Sequence, residues 1–262
     1  MTESRAIIGL APWFGTPLGR YLLDWEQSQL DRVVADLFGF HALQLGMPEL
    51  QGLASNRMPH RWLATVGLSE LAAEASAGSA APALCCDLDA LPFDSQSLDL
   101  VVLPHTLELA RDPHLALGEV ERVLRPEGRV VILGFNPVSL WGLRRQVQRV
   151  AGRMGGSDAP YTLPDLAEPI GPRRVRDWLR LLSFEVETAR FGCYRPPVSS
   201  ERWLERTAWM EGGGARWWPV FGGMYLLVAV KRVRGMRLVG LTRAARSKSA
   251  AAPAIIAQRR RP

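Results

Sequence analysis

Few side chains in this sequence stand where residue type and spacing suggest chemistry. His105 directly follows "SLDLVVLP" (97–104), a near-continuous apolar run of the kind found in strands buried on both faces of a parallel sheet. A histidine just past the carboxyl end of such a strand could take up a proton or orient a ligand; it could equally cap the next helix. Glu108 could orient the same ligand or favour the start of a helix through its dipole. A second candidate is "HALQLGMPEL" (41–50), where apolar residues run into a lone Gly46 followed by Met47, Pro48 and Glu49. This is the shape of a buried strand turning toward a helix, the place where many α/β proteins hold a nucleotide-like ligand. His41, His60 and His114 have no metal-binding spacing. Cys85 and Cys86 are adjacent and Cys193 stands alone, so neither a metal site nor a disulfide framework is expected.

The elements that must position these residues follow from periodicity. Leu18, Leu22, Leu23, Trp25, Leu30, Val33, Val34 and Leu37 predict a helix over 18–37. Strands are expected at 40–46, 61–67, 83–88 and 97–104, with Pro48 opening a brief helix and "SELAAEAS" forming a helical turn or two. "DPHLALGEVERVLRP" has an Asp cap and a proline at the first helical position, and "EGRVVILGFNP" turns into a strand that stops at Asn136-Pro137. Helices over 138–152 and 171–183 and a strand over 184–192 follow. A long aromatic connection, in which no convincing helix is visible, then leads to the last strand at 224–233. Strands alternating with helices predict an α/β, Rossmann-like, doubly wound and mostly parallel seven-stranded sheet with an antiparallel last strand.

The 262 residues can bury a sizeable core, and 47% apolar and 22% charged residues are ordinary for a globular protein. No apolar run reaches the ~20 residues of a bilayer span. The N-terminus lacks the basic start and long apolar stretch of a signal peptide, so a cytoplasmic location is expected. The net charge of +6 is unevenly placed. Residues 231–262 hold ten Lys or Arg and no acid, which leaves 22 basic against 26 acidic groups in the rest. The basic tail is expected to be largely disordered and either to touch nucleic acid or an acidic surface or to serve solubility alone.

Between Asp87 and Pro137 one ordered set of signals carries a resemblance. Asp87, Leu91-Pro92-Phe93, Leu98-Asp99, Leu107-Glu108, Asp112-Pro113 and "RVLRPEGR" occur in succession. The stretch resembles the class I S-adenosylmethionine-dependent methyltransferases, in particular the group often called type 11. The resemblance implies S-adenosylmethionine as cofactor, with Asp87 and Leu88 holding the adenine and the methionine arm lying where the fourth strand ends at Pro104. It places "HALQLG" as the first strand, where the family has an acid followed by Gly-x-Gly-x-Gly. Here Gln44 and the single Gly46 stand instead. The family's ribose-binding acid after the second strand has Glu70 as its nearest counterpart, three residues late. His105 is then the candidate catalytic base or acceptor-orienting group.

The implied organisation is an N-terminal helical segment (1–38) packed on the core, a methyltransferase-like domain (39–233) with an aromatic insertion or lid at 193–222, and a basic tail (234–262). The expected function is methyl transfer to an unknown acceptor: a quinone-like ring, a lipid, a protein and an RNA base all remain open. Two alternatives stand beside it. One is a cofactor-free scaffold or binding protein, which the altered loop favours; the other is an RNA-directed protein using its tail.

Overall fold

The computed structural model describes residues 13–65, 82–153, 169–198 and 200–232. The expected turn at "SELAAEAS", Glu70 and the basic tail lie outside these residues. Seven strands form one sheet: β1 (His41–Leu45), β2 (His60–Thr65), β3 (Leu84–Cys85), β4 (Leu98–Pro104), β5 (Leu124–Phe135), β6 (Phe184–Gly192) and β7 (Met224–Lys231). Their spatial order is β3-β2-β1-β4-β5-β7-β6. The first five are mutually parallel, and β7 runs antiparallel to both β5 and β6. The predicted sheet with its antiparallel last strand is therefore the observed one. The chain moves outward from β1 to β3, then returns to place β4 on the other side of β1. The carboxyl ends of β1 and β4 thus form the switch point at which open α/β sheets take ligands.

Alternation along the strands explains the apolar runs. Leu100, Val102, Val131 and Leu133 face one core, which is completed by Leu18, Leu22, Leu30 and Val34 of helix α1 (Pro17–Val34). Val101, Leu103, Val130 and Ile132 face the other, where α3 (Pro113–Val123) and α5 (Pro172–Leu181) supply Leu117, Val120, Val175 and Leu179. Both faces of the central strands β1, β4 and β7 are covered, so these strands are apolar nearly throughout, whereas the edge strand β6 alternates with polar residues. The short α2 (Thr106–Leu109) precedes α3, whose Asp112 carboxylate accepts from the amides of His114 and Leu115, as its sequence predicts.

Two expectations about helices fail for identifiable reasons. No helix follows Pro48; residues 46–59 form turns. Asn56 donates to the carbonyls of Val34 and Leu37 at the end of α1, and Arg61 holds the carbonyls of Leu53, Ala54 and Asn56. The polar side chains of this loop do the hydrogen bonding a helix would have done for itself. Conversely, the aromatic connection contains α6 (Glu201–Arg206) and α7 (Trp209–Trp217), after α4 (Leu140–Arg153) earlier in the chain. Three consecutive glycines disguise α7 in the sequence. The closest packing is at Gly214, where a Cβ would lie 2.3 Å from Cγ of Tyr194. That glycine permits ring-on-helix packing.

Candidate functional site

At the end of β1, Gly46 has φ +80° and Met47 φ +47°, a left-handed pair that turns the chain sharply. Among the described residues, a Cβ at Gly46 would meet only the Thr106 hydroxyl, at 3.7 Å, so they leave this side of the turn open. The loop is held from within by Gln44. Its amide nitrogen donates to the carbonyls of Gly46, Met47 and Leu50 at 2.8–3.1 Å, and its oxygen accepts from the Gly52 amide at 2.9 Å. A side chain with both donor and acceptor can close such a loop where a carboxylate could not. Thr106 adds a 2.6 Å bond to the Leu45 carbonyl, tying the ends of β1 and β4 together.

His105 follows β4 with φ +54° and is fully buried. Its Nδ1 lies 2.8 Å from Oε2 of Glu108 and its Nε2 2.7 Å from Oε1 of Glu26. Burial works against a charged imidazole, but attraction to Glu26 and the hydrogen bonds to both carboxylates outweigh it and raise its pKa to about 10. The ring is thus a buried cation with both nitrogens engaged. It offers no lone pair to a substrate, which corrects the expectation of a catalytic base. Glu108 accepts the Phe135 amide through its other oxygen, joining α2 to the end of β5. Glu26 sits on the apolar stripe of α1, four residues after Leu22 and four before Leu30. The sequence carried that signal, a carboxylate at a core position of a helix, yet its partner was legible only in three dimensions.

The remaining expected residues spread along the same edge. Asp87, just after β3, is exposed, and its carboxylate makes one long 3.4 Å contact with the Asp89 amide. Leu88 turns into the core with Leu91 and Leu103. Pro104 is buried as the last residue of β4. The Leu91-Pro92-Phe93 loop is latched by Arg122, which donates to the carbonyls of Leu91 and Phe93 and pairs with Glu119. Asp99 accepts from the amides of Phe40 and His41 and meets Arg125. Those parts of the pattern position the fold. Among the described residues no three His, Cys, Asp or Glu side chains gather closely enough to hold a metal ion, and no helix is long and apolar enough to cross a membrane.

A cavity of about 600 Å³ opens at the neighbouring end of β5. Pro137, Val138, Leu140 and Leu143 wall one side, with Tyr194, Met210, Trp218 and Phe221 opposite. Asn136 fastens the two sides. Its side-chain nitrogen donates to the carbonyls of Val220 and Gly222, and its oxygen accepts from Val138. Glu211 of α7 fastens the insertion to the body, accepting from the Cys193 and Tyr194 amides and from the Tyr21 hydroxyl on α1. Phe135 packs between His105, at 4.6 Å, and Trp141, at 6.3 Å between ring centroids.

Residues 54–132 match the family model of a methyltransferase domain. The chain is 29% identical over 228 residues to the uncharacterized protein YafS of Escherichia coli strain K12, covering 84% of this chain and 80% of that one. A malonyl-[acyl-carrier protein] O-methyltransferase of Halorhodospira halophila is 43% identical over 61 residues, which is 23% of this chain and 21% of that enzyme. In three dimensions the chain is similar to an S-adenosylmethionine-dependent methyltransferase from Thermotoga maritima, with a TM-score of 0.57 and 15% identity, covering 87% of this chain and 97% of that one. That likeness speaks for the fold. With the ordered motif from Asp87 to Pro137 and the sheet order, these findings agree on a methyltransferase-domain match at residues 54–132 carried on the fold of the S-adenosylmethionine-dependent methyltransferases.

Proposed function

We propose that the enzyme transfers a methyl group from S-adenosylmethionine to an apolar acceptor seated between the end of β5 and helix α7. The observation that carries this reading is the cavity itself, walled by Val138, Leu140, Leu143, Met210, Trp218 and Phe221 beside the switch-point edge of the sheet. A flat or chain-like apolar molecule suits such walls better than a charged one.

The residues present fit the cofactor. Asp87 has an exposed carboxylate, which also meets the Asp89 amide at 3.4 Å, to offer the adenine amine, and among the described residues the turn at Gly46 is open on the side where a Cβ would point. Gln44 engages the carbonyls of Gly46 and Met47 from inside the protein, and each carbonyl keeps a second lone pair for a ligand. When bound, S-adenosylmethionine supplies an electrophilic methyl group on a sulfonium. The protein's part is to place the acceptor in line and keep water out. The apolar cavity walls do the second, and the Asn136 clamp holds the geometry for the first. His105, Glu26 and Glu108 lock β4, α1 and β5 together beneath this edge and take no proton from substrate.

Calorimetric titration with S-adenosylhomocysteine separates the roles of the two polar residues. Asp87→Ala is expected to weaken binding about tenfold, the cost of one charged hydrogen bond, with an unchanged melting temperature. Gln44→Ala should lower the melting temperature, by several degrees, because four loop hydrogen bonds disappear. Silence of both substitutions while binding persists would overturn this placement of the cofactor. For the acceptor, a methyl-labelled cofactor incubated with membrane extract should label the organic phase; label found only in protein or RNA would overturn the apolar-acceptor reading.

A further inference from the structure

We infer that the acceptor is an apolar ring or chain carrying one uncharged hydroxyl, which Gln146 and Tyr194 read. The inference rests on the methyl-transfer reading and names the class of molecule that its cavity takes. Every described residue lining that cavity is uncharged. A carboxylate or an ammonium group seated between these walls would give up hydration and meet no opposite charge on them. A neutral molecule avoids that cost. The walls therefore sort ligands by charge before they sort them by shape.

The polar side chains on the walls decide which neutral molecule fits. They are Ser139, Gln146, Tyr194 and the indole of Trp218. Ser139 is committed to the protein: its hydroxyl donates to the Asn136 carbonyl at 2.6 Å and accepts from the Gly142 amide at 3.1 Å. Tyr194 donates to the Pro219 carbonyl at 2.7 Å, so what its oxygen has left for a ligand is acceptor capacity alone. Burial and the nearby Glu211 push that phenol up to about 12, which keeps its proton in place at neutral pH. Gln146 stands on α4 about one turn beyond Leu143 and makes no hydrogen bond among the described residues. Its amide offers both a donor and an acceptor, and Trp218 adds a donor. A group that both gives and takes a hydrogen bond matches this set. A carbonyl or an ether would leave the Tyr194 oxygen without a donor. An alkyl amine, charged at neutral pH, fails on the first criterion. A hydroxyl meets both.

The test is equilibrium dialysis of the full chain at neutral pH, with S-adenosylhomocysteine present, against three probes built on one ring system. 2-Naphthol carries the hydroxyl, 2-methoxynaphthalene keeps the oxygen without the donor, and 2-naphthoate carries a charge. 2-Naphthol should bind about fivefold more tightly than 2-methoxynaphthalene, the worth of one neutral hydrogen bond, and 2-naphthoate should bind most weakly. Gln146→Leu and Tyr194→Phe should each reduce the preference for the hydroxyl to about twofold or less. Gln146 is exposed on its helix, so Gln146→Leu keeps the test decisive even where loss of the Pro219 bond destabilises Tyr194→Phe. Equal binding of 2-naphthol and 2-methoxynaphthalene overturns the inference and leaves the apolar-acceptor reading in place. A preference for the hydroxyl that survives Gln146→Leu also overturns it, as does tightest binding by 2-naphthoate. If S-adenosylhomocysteine binds and none of the probes does, the cavity is not the acceptor's seat, and the reading of the site falls together with the inference.

Discussion

Replacing His105 with alanine is expected to destabilise the fold by roughly 3–5 kcal/mol, the usual cost of removing one partner from a buried ionic cluster. The substitution leaves Glu26 and Glu108 facing each other with no counter-charge, and neither side chain reaches water. Glu26 already has one oxygen without a hydrogen bond among the described residues, so it has no spare partner to turn to. The effect depends on pH in a fixed direction. Folding raises the imidazole from its ordinary 6.5 to about 10, so the folded chain binds a proton that the unfolded chain releases between those values. The stabilisation is therefore complete below about pH 6.5 and is lost as pH rises through 10. Urea unfolding of the wild type from pH 6 to pH 10 should show this decline, and in His105→Ala it should be flattened. A catalytic base would behave differently: its replacement would abolish turnover while leaving the unfolding midpoint in place.

The sequence made the frame of this molecule readable because the frame is repetitive. Strands buried on both faces must be apolar throughout, so 97–104 and 130–135 announced themselves, and Asp112-Pro113 marked a helix start by local chemistry alone. The aromatic connection was misread because local propensity opposed the outcome. Gly212, Gly213 and Gly214 argue against a helix, yet Glu211 anchors α7 to β6 and α1 from within the same segment. Tertiary contact outweighed propensity. The candidate site was legible to the extent that it depends on chain order. Asp87 and Gly46 fall at strand ends because the strands do. His105 was located correctly and its role misjudged, since the residue that fixes its charge, Glu26, lies 79 positions earlier. Gln44 was weighed as a stand-in ligand, whereas its four hydrogen bonds all serve the loop. The cavity was the least visible part. It is assembled from two segments far apart in the chain, 137–146 and 194–221, and the aromatic composition indicated the materials without the shape.

Asn136 should be the position where loss of one amide most disturbs the acceptor side. It is nearly inaccessible, and it connects the end of β5 to the segment that carries Val220 and Gly222. Asn136→Ala removes two donors and one acceptor at once, leaving the carbonyls of Val220 and Gly222 and the Val138 amide without that partner. A loss of roughly 2–4 kcal/mol is expected from groups of this kind. Asn136→Asp is nearly the same size yet should be worse at neutral pH, because it brings a carboxylate oxygen to within hydrogen-bond distance of two carbonyl oxygens. That repulsion holds the new carboxyl above its ordinary pKa of about 3.9. Its penalty should accordingly shrink as pH falls through the raised value, since the protonated acid regains a donor for one carbonyl. Asn136→Ala should show no such recovery. Functionally, both variants free Trp218 and Phe221 from their fixed distance to Leu140 and Leu143, so the acceptor's KM should rise while S-adenosylhomocysteine affinity stays as in the wild type. Limited proteolysis should cut the 218–223 segment earlier in both variants. Equal proteolysis in wild type and Asn136→Ala would show that Glu211 and Tyr194 suffice to hold the wall, and that the clamp at Asn136 is dispensable.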